Sequence, residues 1–341
     1  MSSPRILIVG NPESHHLGSH LVDAAASLHW EVHLHDLRTA WSGNRWVNRV
    51  FHHLLEKRPP HFSKFNERLA KECRSFRPNL VIVTGISPVS DVSLNMIRSL
   101  GGKTVNYLTD DPWNPLNGAG YFWDSLRNYD LVANPRQANL QQLRDHGCRR
   151  VEYLPFGYNP AYHFIESDIS PAEKERFSCD VALLGGADAD RVPLARALAR
   201  GGLDLALYGG YWGEVTDLRP FYRGEAYGRD LRLAVRVAKV HVCMGRKANR
   251  DGHAMRSLEF PAMGACLTVE DTPEHRSLYG KNGECVLYWN SLLELVSVTK
   301  LLSNDPEHNR VLRERLHSRI TSDHSHRYAD RLIKIAALLE V

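Results

Sequence analysis

The sequence predicts an α/β protein made of two doubly wound parallel sheets, one after the other, and three observations predict it. The 341 residues are too many for one ordinary core and suit two domains of roughly 150 residues each. Short β-branched apolar runs alternate with helix-length amphipathic stretches, as right-handed βαβ crossovers require. The pattern then restarts: a glycine-closed strand at Arg5–Gly10 (RILIVG) has its counterpart at Cys179–Gly186 (CDVALLGG).

In the first half, EVHLHDL (31–37), NLVIVTG (79–85), KTVNYLTDD (103–111), YDLVANP (129–135) and VEYLPFG (151–157) read as further strands. Each is short and closes on or near Gly, Pro or Asp. These place a first domain over residues 1–157. Residues 158–178 hold two prolines, many charges and no periodicity, and are expected to be a linker. A second domain over 179–324 follows. Its strands are CDVALLGG, DLALYGG (204–210), HVCM, GACLTVED and ECVLYW, and its helices include PLARALARGG and RDLRLAVRVAKV. Three helices close the chain, the second capped by Asn304-Asp305-Pro306-Glu307. The last is HRYADRLIKIAALLE within 325–341, and its return to the first domain is what the family resemblance described below implies. In open α/β sheets ligands lie beyond the carboxyl ends of the strands, so two such domains are expected to face each other across a ligand-binding cleft.

Composition excludes several classes. With 43% hydrophobic and 24% charged residues the chain is neither disordered nor membrane-embedded. A formal charge of +4, from 43 basic against 39 acidic residues, is too slight for a nucleic-acid protein but suits an anionic small ligand. Six cysteines without a CxxC pair suggest neither zinc nor disulfides, and the short apolar run in MSSPRILIVG is no secretion signal. A cytoplasmic protein is expected. The loop GNPESHHLG lacks the G-x-G-x-x-G of a dinucleotide site.

The segment DGHAMRSLEF (251–260) carries the densest chemistry. Met255, Leu258, Ala262 and Met263 recur at helical spacing, so a helix is expected to start near Gly252 with Asp251 as its N-cap. Arg256 and Glu259 then share a face. Gly185, Gly186, Gly209 and Gly210 close two strands, serving either a ligand's approach or the turn itself. Tyr208, beside the second pair, either stacks on a base or joins the core. His15 and His16, between Gly10 and Gly18, are candidates for taking a proton from a hydroxyl, as are Asp110 and Asp111 at a strand's carboxyl edge, Asp110 being favoured. Solvated loop histidines and an Asp-Pro turn are the plain alternatives. Asp188-Ala189-Asp190 imitates a metal-holding Asp-x-Asp, but it sits at a helix start, where acids are favoured anyway, so no metal is expected. Within 41–77, Trp46, Val47, Val50, Phe51, Leu54 and Leu55 form an apolar stripe opposite Arg and Lys: a core face, or a surface for an anionic membrane or a lipid-linked acceptor. Pro59-Pro60 breaks this helix.

Several stretches together resemble one family. They are LTDDPW (108–113), YDLVANPRQANLQQLRDHGCRRVEYLPFGYNP (129–160), DVALLGGADADR (180–191), LALYGGYW (205–212) and RSLEFPAMGACLTVED (256–271). This set is similar to the CgeB-like, "glycosyl transferases group 1" proteins of the two-Rossmann (GT-B) class. Asp251, seven residues, Glu259 and a small-residue stretch to Gly264 look like the acid-x7-Glu signature of nucleotide-sugar glycosyltransferases, with Asp where Glu is usual. The resemblance covers most of residues 100–340. It implies that Glu259 accepts both ribose hydroxyls and that Arg191 or Arg256 neutralises the diphosphate, with Asp251, His253, Gly186, Tyr208 and Gly209 nearby in the donor site. It further implies a metal-independent transfer from a nucleotide-diphosphate sugar, without cofactor, to an acceptor of unknown class: glycan, lipid-linked, protein or small molecule. Catalytic candidates are Asp110, His15, His16 and Arg256. A nucleotide-sugar epimerase of the same fold and a non-catalytic Rossmann-type binding protein are the rival expectations.

Overall fold

The computed structural model describes residues 3–250 and 252–341. By packing, the chain divides into two compact units. The first comprises residues up to Pro155 with Ala248–Asp251 and Arg327–Val341, and the second comprises Phe156–Lys247 with Gly252–His326.

In the first unit, strands β1 (Arg5–Gly10), β2 (Glu31–Asp36), β3 (Leu80–Thr84), β4 (Lys103–Tyr107), β5 (Leu131–Asn134) and β6 (Val151–Tyr153) form one parallel sheet in the order β2-β1-β3-β4-β5-β6. β1 and β3 are buried from end to end past Arg5, as expected for strands covered on both faces. Helices α1 (Leu17–Ser27), α2 (Arg45–Leu54), α3 (Phe62–Phe76), α4 (Asp91–Ser99), α5 (Gly120–Leu126) and α6 (Leu140–Asp145) lie between the strands in sequence. Chain direction across the sheet reverses at β1, with β2 on one side and β3 on the other. The loops after β1 and β3 therefore flank the switch point, where such sheets bind ligands.

The second unit repeats the plan. Helix α7 (Pro171–Phe177) opens it, and strands β7 (Val181–Leu184), β8 (Leu205–Tyr208), β9 (Val240–Cys243), β10 (Leu267–Glu270) and β11 (Leu287–Trp289) form a parallel sheet ordered β11-β10-β9-β7-β8. Its other helices are α8 (Arg191–Arg200), α9 (Gly228–Val237), α10 (Arg256–Ala262), α11 (Pro273–Tyr279), α12 (Leu292–Asn304) and α13 (Pro306–Thr321). Here the switch point lies between β7 and β9. The last helix, α14 (Tyr328–Leu339), packs in the first unit, where the Tyr328 ring stacks on His20 of α1 with centroids 5.6 Å apart.

Two local expectations change. Residues 158–178 are ordered as part of the second unit: Ser170 and Glu173 form a capping box for α7, and buried Glu166 pairs with Arg232 (3.0 Å) and Arg229 (2.6 Å) of α9. The helix expected from Gly252 begins at Arg256, preceded by Met255. Gly252 adopts φ 86°, a left-handed conformation that cannot open a right-handed helix. Asp251 itself, the expected cap, lies outside the described residues. Among the described residues no helix is long and apolar enough to cross a membrane.

Candidate functional site

Beyond the carboxyl ends of β7 and β9, the second unit gathers cations. The loop after β7 runs from Gly185 to Asp190 into α8. Asp188 Oδ1 accepts the backbone N–H groups of Asp190 (3.1 Å) and Arg191 (2.8 Å), tying down the start of the helix. This fixes Arg191 at the first position of α8, its largely buried guanidinium donating to the Asp188 carboxylate and to the Gly186 carbonyl (3.3 Å). Arg246 follows β9, and Arg256 opens α10. Their charges act on Arg191. Burial first, then repulsion by Arg256 and Arg246, brings its pKa down to about 10, despite attraction from Asp188 and Asp190. Among the described residues no side-chain hydrogen bond or ion pair engages the Arg256 guanidinium. A cluster of like charges held together against repulsion is suited to a multiply charged anion.

Glu259 lies one turn along α10 from Arg256, its side chain about a tenth exposed. Loss of water raises its pKa to about 7, and only Arg256 opposes the shift. His163 Nε2 is 3.7 Å from Glu259 Oε1. The backbone N–H of Asn159 donates to His163 Nδ1 (3.1 Å), so the ring proton sits on Nε2 and faces the carboxylate. His163 was invisible in the sequence because it lies in the aperiodic stretch read as a linker. Arg246 was also missed, although its place just after a strand at the switch point is a usable signal.

The remaining candidates of this unit take structural places. Gly209 has φ 122°, and a Cβ there would lie 2.6 Å from the Gly185 carbonyl carbon; one at Gly186 would lie 3.2 Å from the Gly210 oxygen. The two glycine pairs thus let neighbouring loops interlock, and the Trp212 indole donates to the Gly185 carbonyl (2.7 Å). Tyr208 is in the core, stacked on Phe177, rather than set out to meet a base. His253 is buried, edge-on to Phe156. Asp188 of the Asp-x-Asp lookalike is engaged with the α8 backbone and Arg191, and Asp190 accepts the Lys247 N–H (3.2 Å).

In the first unit, His15 and His16 occupy the loop after β1 at the switch point. Both face Glu13, at 3.7 and 3.4 Å. Partial burial, then His15, lowers the His16 pKa, so His16 is neutral at pH 7 and able to accept a proton. Asp111 is buried and fully engaged: its carboxylate accepts from Arg250 (2.5 and 3.1 Å), Asn139 (2.6 Å) and the Trp113 backbone (3.0 Å). Asp110 accepts from Thr109 (3.0 Å) and, at 3.4 Å, from Asn249.

Residues 191–337 match the model of a family described as glycosyl transferase-like. No curated protein matches the sequence. Over the whole chain the fold is similar to a sucrose-phosphate synthase from Thermosynechococcus elongatus, at 14% identity, TM-score 0.69 and 99% of each chain. It is also similar to HepE from Anabaena, solved in complex with UDP-glucose, at 12% identity, TM-score 0.63 and 99% of each chain. A third similar structure is the trehalose-6-phosphate synthase OtsA, at 12% identity, TM-score 0.65, covering 97% of this chain and 98% of that one. The protein has the GT-B fold of two Rossmann-like α/β domains, and its second half carries a glycosyltransferase-like sequence.

Proposed function

We propose that the protein is a glycosyltransferase that takes a sugar from a nucleotide-diphosphate donor held by the second unit. The observation that carries this reading is the position of Arg256, whose charge acts both on Arg191, itself also repelled by Arg246, and on the carboxylate of Glu259 one helical turn away, at a sheet switch point inside the glycosyltransferase-like segment. A nucleotide sugar presents a doubly charged diphosphate and a vicinal ribose diol. Guanidinium groups suit the first, and a carboxylate accepting two hydroxyls suits the second. As the glycosidic bond breaks, negative charge grows on the departing diphosphate, so cations already in place stabilise the transition state more than the ground state. The three arginines supply the charge a divalent cation supplies elsewhere, and the reading needs neither metal nor cofactor.

His163 completes the reading by presenting its Nε2–H to Glu259. In the first unit, His15, His16 and Asp110 are the groups able to take a proton from an acceptor hydroxyl, whereas Asp111 is occupied by Arg250 and Asn139. The implied partners are a nucleotide sugar and an acceptor of glycan, lipid-linked, protein or small-molecule class, in the cytoplasm or at a membrane face. The transferred group is a hexose or a pentose.

The test is a panel of nucleotide sugars scored by melting temperature, since a ligand at 100 times its Kd stabilises by about 2.7 kcal/mol. One or more should raise the melting temperature of the protein and raise that of Arg256→Ala by half as much or less. A panel with no effect, or an equal effect on Arg256→Ala, contradicts the reading. Conversion of a donor in the absence of any acceptor would instead indicate an epimerase.

A further inference from the structure

The ten residues of α2 form an amphipathic helix in which Val47 and Phe51 are half-buried and one apolar row is left in solvent. Trp46, Val50 and Leu54 stand at i, i+4 and i+8 on one face and are 72%, 51% and 75% exposed. No described side chain of α2 is buried. A helix this short is marginal in water by itself, and its ends explain why it persists. Asn44 Oδ1 caps the Trp46 N–H (2.9 Å), and Asn48 exchanges two hydrogen bonds with the Ser42 backbone (2.9 and 2.7 Å). At the other end, Glu56 and Lys57 turn the chain with φ of 46° and 65°, and Lys57 Nζ donates to the carbonyls of Pro115 (2.6 Å) and Gly118 (2.8 Å). The helix is thus clamped at both ends and bare along its apolar stripe. Exposed apolar surface of this kind marks a contact site.

Charge narrows the choice of partner. Residues 41–60 hold four cations, Arg45, Arg49, Lys57 and Arg58, against the single carboxylate Glu56. The four cations, with Trp41 and Trp46, line a depression of about 600 Å³ beside the helix. Arg45 and Arg49 border the stripe, where long cationic side chains carry their heads out to a polar interface while apolar neighbours go in. A second copy of the chain related by a two-fold axis through this face would set the cationic patch against the same patch, and like charges repel.

We propose that α2 is an interfacial helix that seats the first unit on an anionic phospholipid bilayer. Trp46, Val50 and Leu54 enter the headgroup–acyl boundary, and the guanidinium groups of Arg45, Arg49 and Arg58 bind lipid phosphates around them. The proposal rests on the helix alone and stands whether or not sugar transfer is the reaction.

Flotation with phosphatidylcholine vesicles, with and without phosphatidylglycerol, tests it on the full chain. The protein should float with the phosphatidylglycerol vesicles only and be released by salt. Trp46→Ser with Leu54→Ser should weaken partitioning about tenfold or more, at an unchanged melting temperature because neither side chain is buried. Arg45→Gln with Arg49→Gln should weaken it roughly thirtyfold, at about a factor of five per cation. Failure to float with phosphatidylglycerol overturns the proposal, as does flotation indifferent to both double variants. So does a dimer that dissociates in the Trp46/Leu54 variant without any vesicle binding, which would make the face a self-interface.

Discussion

Changing Glu259 to Gln probes the donor site through its titration. The wild-type carboxyl ionises near pH 7, so about a tenth of it is charged at pH 6 and about nine-tenths at pH 8. A ligand that needs the carboxylate has an apparent Kd equal to its intrinsic value divided by that fraction. Donor affinity should therefore rise roughly tenfold between pH 6 and pH 8. The diphosphate of a nucleotide sugar is a diester and does not titrate in this range. Titration calorimetry with an active donor should show this slope in the wild type and a weak, flat affinity in Glu259→Gln. Stability should run the opposite way. Because burial raises the carboxyl pKa from 4.5 to about 7, the fold favours the neutral form: the stabilisation is complete below about 4.5 and is lost as pH rises through about 7. At 1.36 kcal/mol per unit this is about 3 kcal/mol. From pH 5 to pH 8 the wild type should therefore lose about 5–10 °C of melting temperature relative to Glu259→Gln. Parallel melting curves, together with a donor affinity indifferent to pH, would refute the assignment of Glu259.

Three further predictions concern single side chains. Arg256→Ala should weaken donor binding by about ten- to a hundredfold, the range of one charge-assisted hydrogen bond, with the fold intact by circular dichroism. Gly209→Ala should cost about 2 kcal/mol or more in denaturant unfolding, because its Cβ would meet the Gly185 backbone at 2.6 Å with φ at 122°. Arg232→Ala leaves the buried Glu166 with only the half-exposed Arg229; a loss of about 3 kcal/mol is expected, and a value near zero would mean that Arg229 alone suffices.

The strands were legible because each is a short apolar run near a Gly, Pro or Asp stop: ten of the eleven among the described residues lie within the stretches read as strands, and β9 begins at Val240, one residue before HVCM. The shared face of Arg256 and Glu259 was legible in their three-residue spacing, whereas Arg191 was picked out by the family resemblance; in the structure the charge of Arg256 acts on both Glu259 and Arg191. What escaped is what spacing cannot carry. Residues 248–250 pack in the first unit although they stand in the second half of the chain, where Asn249 and Arg250 engage Asp111. No local pattern encodes such an excursion. The 158–178 stretch was read as a linker because it lacks periodicity, yet it is held by Glu166 ion pairs and a capping box and delivers His163 to Glu259. Tyr208 and the glycine pairs were ambiguous because a strand's carboxyl end serves turn packing and ligand approach with the same residue types. The start of α10 was misplaced because Met255, Leu258 and Ala262 carry the helical spacing upstream, while the φ of Gly252 is not written in the pattern.

The central claim is that Glu259 holds a ribose while Arg191, Arg246 and Arg256 hold the diphosphate. A crystal structure of the protein soaked with a nucleotide sugar that raises its melting temperature tests this most directly. The account predicts two hydroxyl contacts on the Glu259 carboxylate and phosphate oxygens within hydrogen-bond reach of Arg191 and Arg256. Nucleotide density remote from α10, or phosphates facing no arginine of the three, would contradict it.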